Sequence, residues 1–246
     1  KIFSLWYNIK KEYDMQISDI LKRCDHTLLT VDAKWEDVAK LCDEAVAYDT
    51  ASVCIAPCYV KKAYMYLDGK KPVCTVVGFP NGYSTIKTKA FETRDAIEDG
   101  ASEIDMVINI GALKAGDKEY LLREIGEVRA ACRDALLKVI IETCLLTDDE
   151  IAAMCKIVTD AGADYIKTST GFSSGGATEK DVRLMKSLVG KGVKVKAAGG
   201  IRTLEAAEKL IEAGADRIGA SRLVKLAQQR LNQTKPQDNN DNGGTK

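Results

Sequence analysis

Short apolar segments alternate with amphipathic segments along most of the chain. Between Trp35 and Val46, for example, apolar side chains recur every three or four residues, the spacing of a helix with one buried face. Strands that alternate with helices form a parallel sheet with helical crossovers. The strand-like segments are CDHTLL (24–29), SVCIAP (52–57), VCTVVGFP (73–80), SEIDMVIN (102–109), LKVIIET (137–143), DYIKTST (164–170), VKVKAAGG (193–200) and DRIGAS (216–221). Eight such segments predict an α/β fold of one domain, the TIM (β/α)8 barrel.

Composition narrows the class of function. The chain has 246 residues, 36 basic and 36 acidic, and no concentrated basic face, which argues against nucleic acid as a partner. No apolar run approaches the roughly 20 residues of a membrane span, and none suits a secretory signal. Eight scattered cysteines without a C-x-x-C pair predict free thiols in the reducing cytoplasm. With a single histidine, they also predict no metal site.

The chain ends differ in character from its centre. We expect residues 1–14 to be an N-terminal extension of uncertain order, with Met15 as a candidate native start. Residues 15–234 form the predicted barrel domain. The tail at 235–246, KPQDNNDNGGTK, is polar and has no apolar anchor, so it is predicted to be disordered.

A weak internal repeat predicts which side chains meet inside the barrel. DGASEID, AGADYIK and AGADRIG each end a helix with glycine and then enter a strand. Five residues after those glycines lie Asp105, Lys167 and Gly219. Alternate strands of a barrel contribute to the same interior layer. We therefore expect Asp105 and Lys167 to point inward near the carboxyl-terminal mouth, with Gly219 leaving open space beside them.

A second lysine makes this arrangement chemically informative. The register of the sixth and seventh strands places Lys196 beside Lys167, and Lys194 would share the inward pleat one step deeper. Burial and a like charge both disfavour an ammonium group. We predict that one lysine is neutral near pH 7 and attacks a carbonyl to form a Schiff base, while Asp105 keeps Lys196 charged and relays protons through a water. A structural ion network remains the alternative, although two lysines against one aspartate leave a surplus charge.

Glycine and hydroxyl residues follow the last three strands. Glycine-rich turns that lead into helices expose backbone N–H groups, and in these barrels they commonly bind phosphate. The segment GFSSGGAT (171–178) is either a loop that closes over the substrate or an ordinary linker. The substrate-binding candidates at these strand ends are Thr170, Gly171, Gly199, Gly200, Gly219 and Ser221.

Several other residues are weaker candidates. Asp25 and Thr27 flank His26 at the mouth of the first strand and are predicted to hydrogen-bond a substrate hydroxyl. His26 itself is more typical of a structural histidine. Cys54 is included only as a thiol near the mouth that an electrophile would attack, since most buried cysteines are inert. Glu142 ends the fifth strand and is a second acid that nothing in the sequence singles out.

These residues lie in segments that resemble the deoxyribose-phosphate aldolase family, class I aldolases with a TIM barrel. The resemblance runs from about Ile17 to Leu226. It depends on DHTLL (25–29), VCIAP (53–57), EIDMVIN (103–109), KVIIET (138–143), YIKTSTGF (165–172), VKAAGGIRT (195–203) and RIGAS (217–221). Seven motifs in the same order make the match specific, whereas any one alone would not.

The resemblance implies a role for each matched residue. The Schiff-base lysine of the family falls on Lys167, its pKa-lowering lysine on Lys196 and its proton-relay aspartate on Asp105. Arg222 departs from the second small hydroxyl residue that some members carry. The implied phosphate contacts are Gly171, Gly199, Gly200 and Ser221.

The implied reaction is the reversible cleavage of 2-deoxy-D-ribose 5-phosphate to D-glyceraldehyde 3-phosphate and acetaldehyde, within deoxyribose phosphate catabolism. The iminium is the electron sink, so neither a metal nor an organic cofactor is expected. Three alternatives stay open: another lysine aldolase or transaldolase-like enzyme, a phosphosugar isomerase, and a non-catalytic phosphate-binding barrel. The sequence does not fix the oligomeric state, and a homodimer is one option.

Overall fold

Eight parallel strands close into a barrel in the computed structural model, which describes residues 15–233. The strands pair in chain order from β1 to β8, and β8 pairs back with β1. They are β1 (Cys24–Leu28), β2 (Ser52–Ile55), β3 (Val73–Val77), β4 (Glu103–Val107), β5 (Leu136–Ile140), β6 (Tyr165–Lys167), β7 (Lys194–Ala198) and β8 (Arg217–Ala220). Every predicted strand segment overlaps one of them, and seven contain the whole strand, whereas β5 begins one residue before its segment. The predicted TIM barrel is confirmed. The predicted extension at 1–14 and tail at 235–246 lie outside the described residues.

Helices form the outer layer of the barrel. They are α1 (Ile17–Leu21), α2 (Trp35–Ala47), α3 (Val60–Leu67), α4 (Ile86–Glu98), α5 (Ile110–Lys114), α6 (Lys118–Cys132), α7 (Asp148–Asp160), α8 (Glu179–Leu188), α9 (Leu204–Glu212) and α10 (Leu223–Gln233). Two short 3-10 turns, Pro57–Tyr59 and Thr143–Leu145, follow β2 and β5. None of the helices between residues 15 and 233 has both the length and the apolar content needed to cross a bilayer.

Threonine side chains define where four of these helices begin. The hydroxyls of Thr85, Thr147, Thr178 and Thr203 accept hydrogen bonds from backbone N–H groups in the first turns of α4, α7, α8 and α9. Such caps satisfy N–H groups that have no partner within the helix. Each cap follows a loop at the carboxyl end of a strand, so the caps fix the ends of the loops that surround the mouth.

The two faces of the strands have opposite character, and β4 shows this clearly. Ile104 and Met106 belong to the large apolar cluster between sheet and helices, together with Leu121 of α6. Side chains alternate between the faces of a strand, so Glu103 and Asp105 lie on the opposite face, inside the barrel. The apolar core therefore lies mainly around the barrel, and its interior is left for charged side chains.

Candidate active site

Ionisable side chains from six strands meet inside the barrel, and we call this group the charged cluster. Its members are Asp25, Glu103, Asp105, Lys138, Lys167, Lys196 and Arg217. Six of them are buried, and the Arg217 side chain is 12% exposed. The cluster contains four cationic side chains and three carboxylates. The sequence predicts one more cation than carboxylates among Asp105, Lys167 and Lys196. The complete charged cluster has the same surplus of one cation.

Asp105 lies at the centre of the charged cluster. Its Oδ2 accepts hydrogen bonds from Nζ of Lys167 at 2.7 Å and of Lys196 at 2.6 Å, and its Oδ1 accepts one from Lys138 at 2.8 Å. Burial alone would raise the pKa of Asp105, but the three ammonium groups outweigh it and hold that pKa well below its usual range. Asp105 is therefore ionised. The predicted meeting of Asp105 and Lys167 inside the barrel is confirmed.

Lys196 lies directly beside Lys167, because these two residues are register partners on β7 and β6. The Nζ of Lys196 also donates to Asp25. Burial lowers the pKa of Lys196, but Asp105 and Asp25 raise it well above its ordinary value, so this side chain remains an ammonium group. A Cβ at Gly219 would lie 3.1 Å from Cε of Lys196. The space expected beside Gly219 is therefore occupied by the Lys196 side chain.

Lys138 of β5 is a member of the cluster that sequence reasoning missed. It is the register partner of Asp105, and its Nζ also lies 2.6 Å from Oε2 of Glu103 and 3.2 Å from Sγ of Cys74. Burial opposes its charge, yet Asp105 and its other neighbours raise its pKa well above the ordinary value. The signal was present in the sequence, because Lys138 interrupts an apolar strand just as Lys167 does.

Asp25 has a different position from the one expected. The sequence predicts that it contacts a substrate hydroxyl, but its Oδ1 accepts from Ser52 Oγ at 2.8 Å and Arg217 Nη1 at 2.6 Å. Its Oδ2 accepts from Lys196. The side chain is fully buried and does not line the cavity described next. Asp25 is thus a counter-ion within the charged cluster, because the register of β1 places it below the mouth.

A cavity of about 250 Å³ opens at the carboxyl ends of β1, β6, β7 and β8. Lys167 lies at its inner end and is 3% exposed. Lys167 is the only member of the charged cluster that lines the cavity. Of the eleven predicted site residues, the structure brings eight to this cavity: Thr27, Lys167, Thr170, Gly171, Gly199, Gly200, Gly219 and Ser221. The other three, Asp25, Asp105 and Lys196, are buried behind Lys167.

One wall of the cavity consists of backbone. Gly199 and Gly200 have φ values of +83° and +74°, in the left-handed region that glycine adopts readily. Within residues 15–233, no protein oxygen accepts from the N–H groups of Gly171, Gly199 or Gly200. Helix α10 begins two residues after Ser221. Free N–H groups beside a helix N-terminus form a wall suited to an anion.

Two of the three threonines that line the cavity, Thr27 and Thr170, already have partners for their hydroxyl hydrogens. Thr27 Oγ1 donates to the carbonyl oxygen of Asp25 at 2.8 Å. Thr170 Oγ1 donates to Oε2 of Glu142 at 2.5 Å and accepts from the N–H of Phe172 at 3.0 Å. No donor among residues 15–233 is seen to bond the Thr27 hydroxyl oxygen, so this oxygen keeps an unused acceptor position.

The glycine-rich segment 171–178 packs along the same wall. The N–H of Ala177 donates to the carbonyl oxygens of Ala198 and Gly199, both at 3.1 Å. A Cβ at Gly176 would lie only 2.3 Å from the carbonyl oxygen of Gly199. Glycine is therefore required where this segment crosses the end of β7.

The weaker candidates do not line the cavity. His26 is buried, with Nε2 2.8 Å from Oε2 of Glu44, and burial lowers its pKa despite that carboxylate. Cys54 is buried beside Cys74, whose hydrogen bond lowers the pKa of the Cys54 thiol against the effect of burial. Arg222 is exposed. The structure thus gives none of His26, Cys54 and Arg222 direct access to a molecule in the cavity.

Lys194 also differs from expectation. It is predicted to face the interior one step below Lys196, but it is exposed at the amino end of β7. Its Nζ lies 5.6 Å from the centre of the Tyr165 ring. The barrel interior ends at this level, so a long side chain here reaches solvent.

The barrel interior also holds a set of donors with the spacing of a metal site. Ligand atoms of Cys54, Cys74 and Asp105 lie within 4.8 Å of one another. Both oxygens of Asp105, however, already accept from lysine ammonium groups. Those positive charges repel a divalent cation, so the donor set suits the charged cluster better than a metal.

The fold and the cavity define a TIM-barrel enzyme with a single lysine at the base of its cavity. The sequence model described as DeoC/LacD family aldolase matches residues 20–229, and the chain belongs to this family. Proteins with similar sequences are named deoxyribose-phosphate aldolase. A deoxyribose-phosphate aldolase of Streptococcus agalactiae is 56% identical over 212 residues, which cover 86% of this chain and 95% of that protein.

Solved structures agree with this assignment. A putative deoxyribose-phosphate aldolase from Coccidioides immitis superposes with a TM-score of 0.85 at 39% identity, covering 93% of this chain and 96% of that one. The deoxyribose phosphate aldolase from Aeropyrum pernix, described as tetrameric, gives 0.82 at 33% identity and covers 88% and 92%. The chain is therefore an aldolase, a carbon–carbon lyase, by family membership.

Proposed function

We propose that this chain is a class I aldolase that cleaves 2-deoxy-D-ribose 5-phosphate to D-glyceraldehyde 3-phosphate and acetaldehyde, through a Schiff base on Lys167. Its relatives carry the name of this activity. The observation that carries the proposal is that Lys167 alone joins the charged cluster to the cavity. The amine that a substrate can reach is thus the one in contact with Asp105.

The charges of the cluster distinguish Lys167 from the other cations. Asp105 is ionised, Lys138 and Lys196 are held as ammonium groups, and an arginine does not lose its proton in proteins. Four cations then face three carboxylates. Among the cations, Lys167 is the one that lies beside the cavity, and it shares its one carboxylate oxygen with Lys196. An unprotonated amine is the nucleophile that imine formation requires.

The reaction follows from this arrangement. The Lys167 amine attacks the C1 aldehyde of the open-chain sugar, and the carbinolamine loses water to give an iminium. The C3 hydroxyl then loses its proton, the C2–C3 bond breaks, and its electron pair moves toward the iminium nitrogen to give an enamine. D-Glyceraldehyde 3-phosphate leaves. Protonation of the enamine at C2 and hydrolysis of the resulting imine release acetaldehyde and restore the amine.

The residues behind Lys167 stabilise the charged intermediates and transfer protons. Asp105 has a pKa too low for a strong base, so we assign it mainly the role of counter-ion to the iminium. Proton transfers pass through a water held by Asp105 and Lys196. The free N–H groups at Gly171, Gly199 and Gly200 hold the phosphate and so fix the distance of C1 from the amine.

The experiment that tests this function is borohydride trapping. The protein is incubated with acetaldehyde and sodium borohydride, and its intact mass is measured. A reduced imine adds about 28 Da, and peptide mapping should place it in the segment that contains Lys167. Lys167→Ala should lose the adduct, whereas Lys194→Ala, which removes an exposed lysine, should keep it.

Two results of this experiment would count against the proposal. An unmodified wild-type protein would remove imine chemistry altogether and favour an isomerase or a binding barrel. An adduct that persists in Lys167→Ala would place the nucleophile elsewhere, with Lys196 as the next residue to replace. Cleavage of 2-deoxyribose 5-phosphate, followed by the release of acetaldehyde, separates this enzyme from other lysine aldolases.

We also infer that the chain forms a homodimer in the cytoplasm. Many barrels of this size self-associate, and the A. pernix relative is described as tetrameric. All eight cysteines are free thiols, which suits a reducing compartment. Sedimentation velocity should give about twice the chain mass of 26.8 kDa, and a monomer would contradict the dimer. Cell fractionation tests the location.

A further inference from the structure

Glu142 combines burial with an unfavourable backbone conformation. It lies just beyond β5 and is 2% exposed, with φ +57° and ψ +64°. Residues other than glycine rarely adopt this left-handed conformation, because Cβ crowds the backbone. Such strain persists only where the surrounding structure imposes it, and it clusters at functional sites.

Neutral donors hold the carboxylate of Glu142. Its Oε2 accepts from the hydroxyl of Thr170 at 2.5 Å, and the Thr170 N–H lies 3.3 Å from both oxygens. Among the described residues, the one other polar side chain in contact with this carboxylate is the thiol of Cys144, at 4.0 Å. Within residues 15–233, no lysine or arginine pairs with Glu142. A buried carboxylate without a cation is costly, so a gain elsewhere must offset it.

The partner of Glu142 belongs to the cavity, although Glu142 does not. Thr170 lines the cavity, and its hydroxyl also accepts from the N–H of Phe172 at 3.0 Å. Glu142 thus fixes a turn of three residues, Thr170–Phe172, from the side opposite the cavity. Because Glu142 itself does not line the cavity, it cannot touch a substrate there.

Within this turn, one backbone donor is left for a ligand. The N–H groups of Thr170 and Phe172 are used by Glu142 and by the Thr170 hydroxyl. Gly171 lies between them with φ +85°, and no protein oxygen in the described part of the chain accepts from its N–H. The hydrogen bonds to Glu142 therefore select which N–H group remains available at the cavity wall.

We propose that Glu142 is a positioning residue for the phosphate group of the substrate: it fixes the Thr170–Phe172 turn so that the N–H of Gly171 binds phosphate. This inference rests on the proposed function. The same turn carries Phe172, whose ring packs edge-on against Phe79 with 5.3 Å between ring centres. Glu142 contributes to binding of the phosphate end and leaves imine formation at Lys167 untouched.

The test compares two sugars that differ only in the phosphate. Kinetic constants are measured for 2-deoxyribose 5-phosphate and for 2-deoxyribose with the wild type, Glu142→Ala and Glu142→Gln. Glu142→Ala should raise KM for the phosphorylated sugar at least tenfold, with kcat/KM for 2-deoxyribose changed less than twofold. Glu142→Gln keeps an oxygen that accepts from the Thr170 hydroxyl, so its KM should lie between those of the wild type and Glu142→Ala.

A second pair of variants tests the hydrogen bond from its other side. Thr170→Val removes the hydroxyl at nearly constant volume and should reproduce the KM effect of Glu142→Ala, whereas Thr170→Ser should restore most of the affinity. The losses in the double variant Glu142→Ala/Thr170→Val should be less than the sum of the two single losses, because the single changes share the contact between the Thr170 hydroxyl and Glu142. If Glu142→Ala fails to fold, Thr170→Val and Thr170→Ser still test whether this hydrogen bond contributes to phosphate binding.

The outcomes separate the alternatives. Equal losses of kcat/KM for both sugars would overturn the inference in favour of a purely structural role. Unchanged KM for the phosphorylated sugar in Glu142→Ala and Thr170→Val would overturn it as well. If the wild-type protein cleaves neither sugar, the proposed function is wrong, and this inference fails with it. That result differs from a loss of activity that is seen only in the variants. Trapping of acetaldehyde at the wild-type rate in Glu142→Ala would support positioning of the phosphate alone.

Discussion

Lys167 and Lys196 are register partners on neighbouring strands, and both donate from Nζ to the same oxygen, Oδ2 of Asp105. Lys196 has a second carboxylate, that of Asp25, whereas Lys167 has none. The two lysines are therefore unequal. One is a fixed positive charge, and the other is the amine beside the cavity.

Replacing Lys196 with Met should change the pH dependence of imine formation. The change removes the ammonium group that lies beside the Lys167 amine and shares Oδ2 of Asp105 with it. The rate of borohydride trapping at pH 7 should fall at least about tenfold, since one pH unit corresponds to ~1.4 kcal/mol, and it should recover partly at alkaline pH. Lys194→Met, on the same strand but exposed, should follow the wild-type profile. A uniform loss at every pH would count against the electrostatic role of Lys196.

Replacing Lys138 with Met should mainly reduce stability. The change leaves Asp105 and Glu103 with less positive charge inside the barrel, and breaking a buried ion pair costs about 3–5 kcal/mol. The free energy of unfolding in urea measures the effect. Lys156→Met removes an exposed partner of Asp160 and should change stability by less than about 0.5 kcal/mol. Similar values for the two variants would show that Lys138 is not needed to balance the cluster.

Acid should destabilise the folded protein through its buried aspartates. Burial opposes the ionisation of Asp25, but Lys196, Lys138 and Arg217 outweigh it, so its folded pKa lies below the unfolded value, as does that of Asp105. Stability from such groups is complete above the unfolded pKa, about 3.9, and is lost as the pH falls below it. Unfolding free energies at pH 7, 5, 4 and 3 should therefore drop most steeply below about pH 5. A flat profile would contradict these lowered pKa values.

Gly219→Ala should impair catalysis more than folding. The added Cβ would lie 3.1 Å from Cε of Lys196 and 3.0 Å from Cβ of Ala198, and the flexible lysine is the group that moves. We expect kcat to fall by roughly tenfold, the effect of a loss of ~1.4 kcal/mol. Gly126→Ala is a matched control in α6, with open space around its Cβ, and should leave kcat unchanged. Equal activity of both variants would mean that the position of Lys196 tolerates the added methyl group.

Residues within one repeat could be predicted from the sequence. The spacing from the glycine to Asp105 and to Lys167 fixes both the strand face and the height, and the structure brings the two side chains into contact. The contacts of Lys138 and Asp25 were harder to predict from the sequence, because their partners depend on the register between different strands. A strand sequence shows which side chains share a face, but not which neighbour lies at the same level.

Glu142 illustrates a different limit. Its contact with Thr170 spans 28 residues and depends on a left-handed backbone that a glutamate rarely adopts. No local sequence pattern predicts such a conformation. The sequence accordingly shows a carboxylate at the end of a strand, and only the folded chain shows what that carboxylate holds.

The charged cluster limits how this barrel can be made more robust. A designer who seeks thermal tolerance usually repacks the interior with branched aliphatic side chains, and here that change would erase the electrostatics on which the amine depends. Improvements belong instead in the outer layer, for example at half-buried Gly126 of α6, where an added Cβ has open space and alanine favours the helix. Such changes in the outer layer can raise stability while the buried ion pairs around Lys167 stay intact.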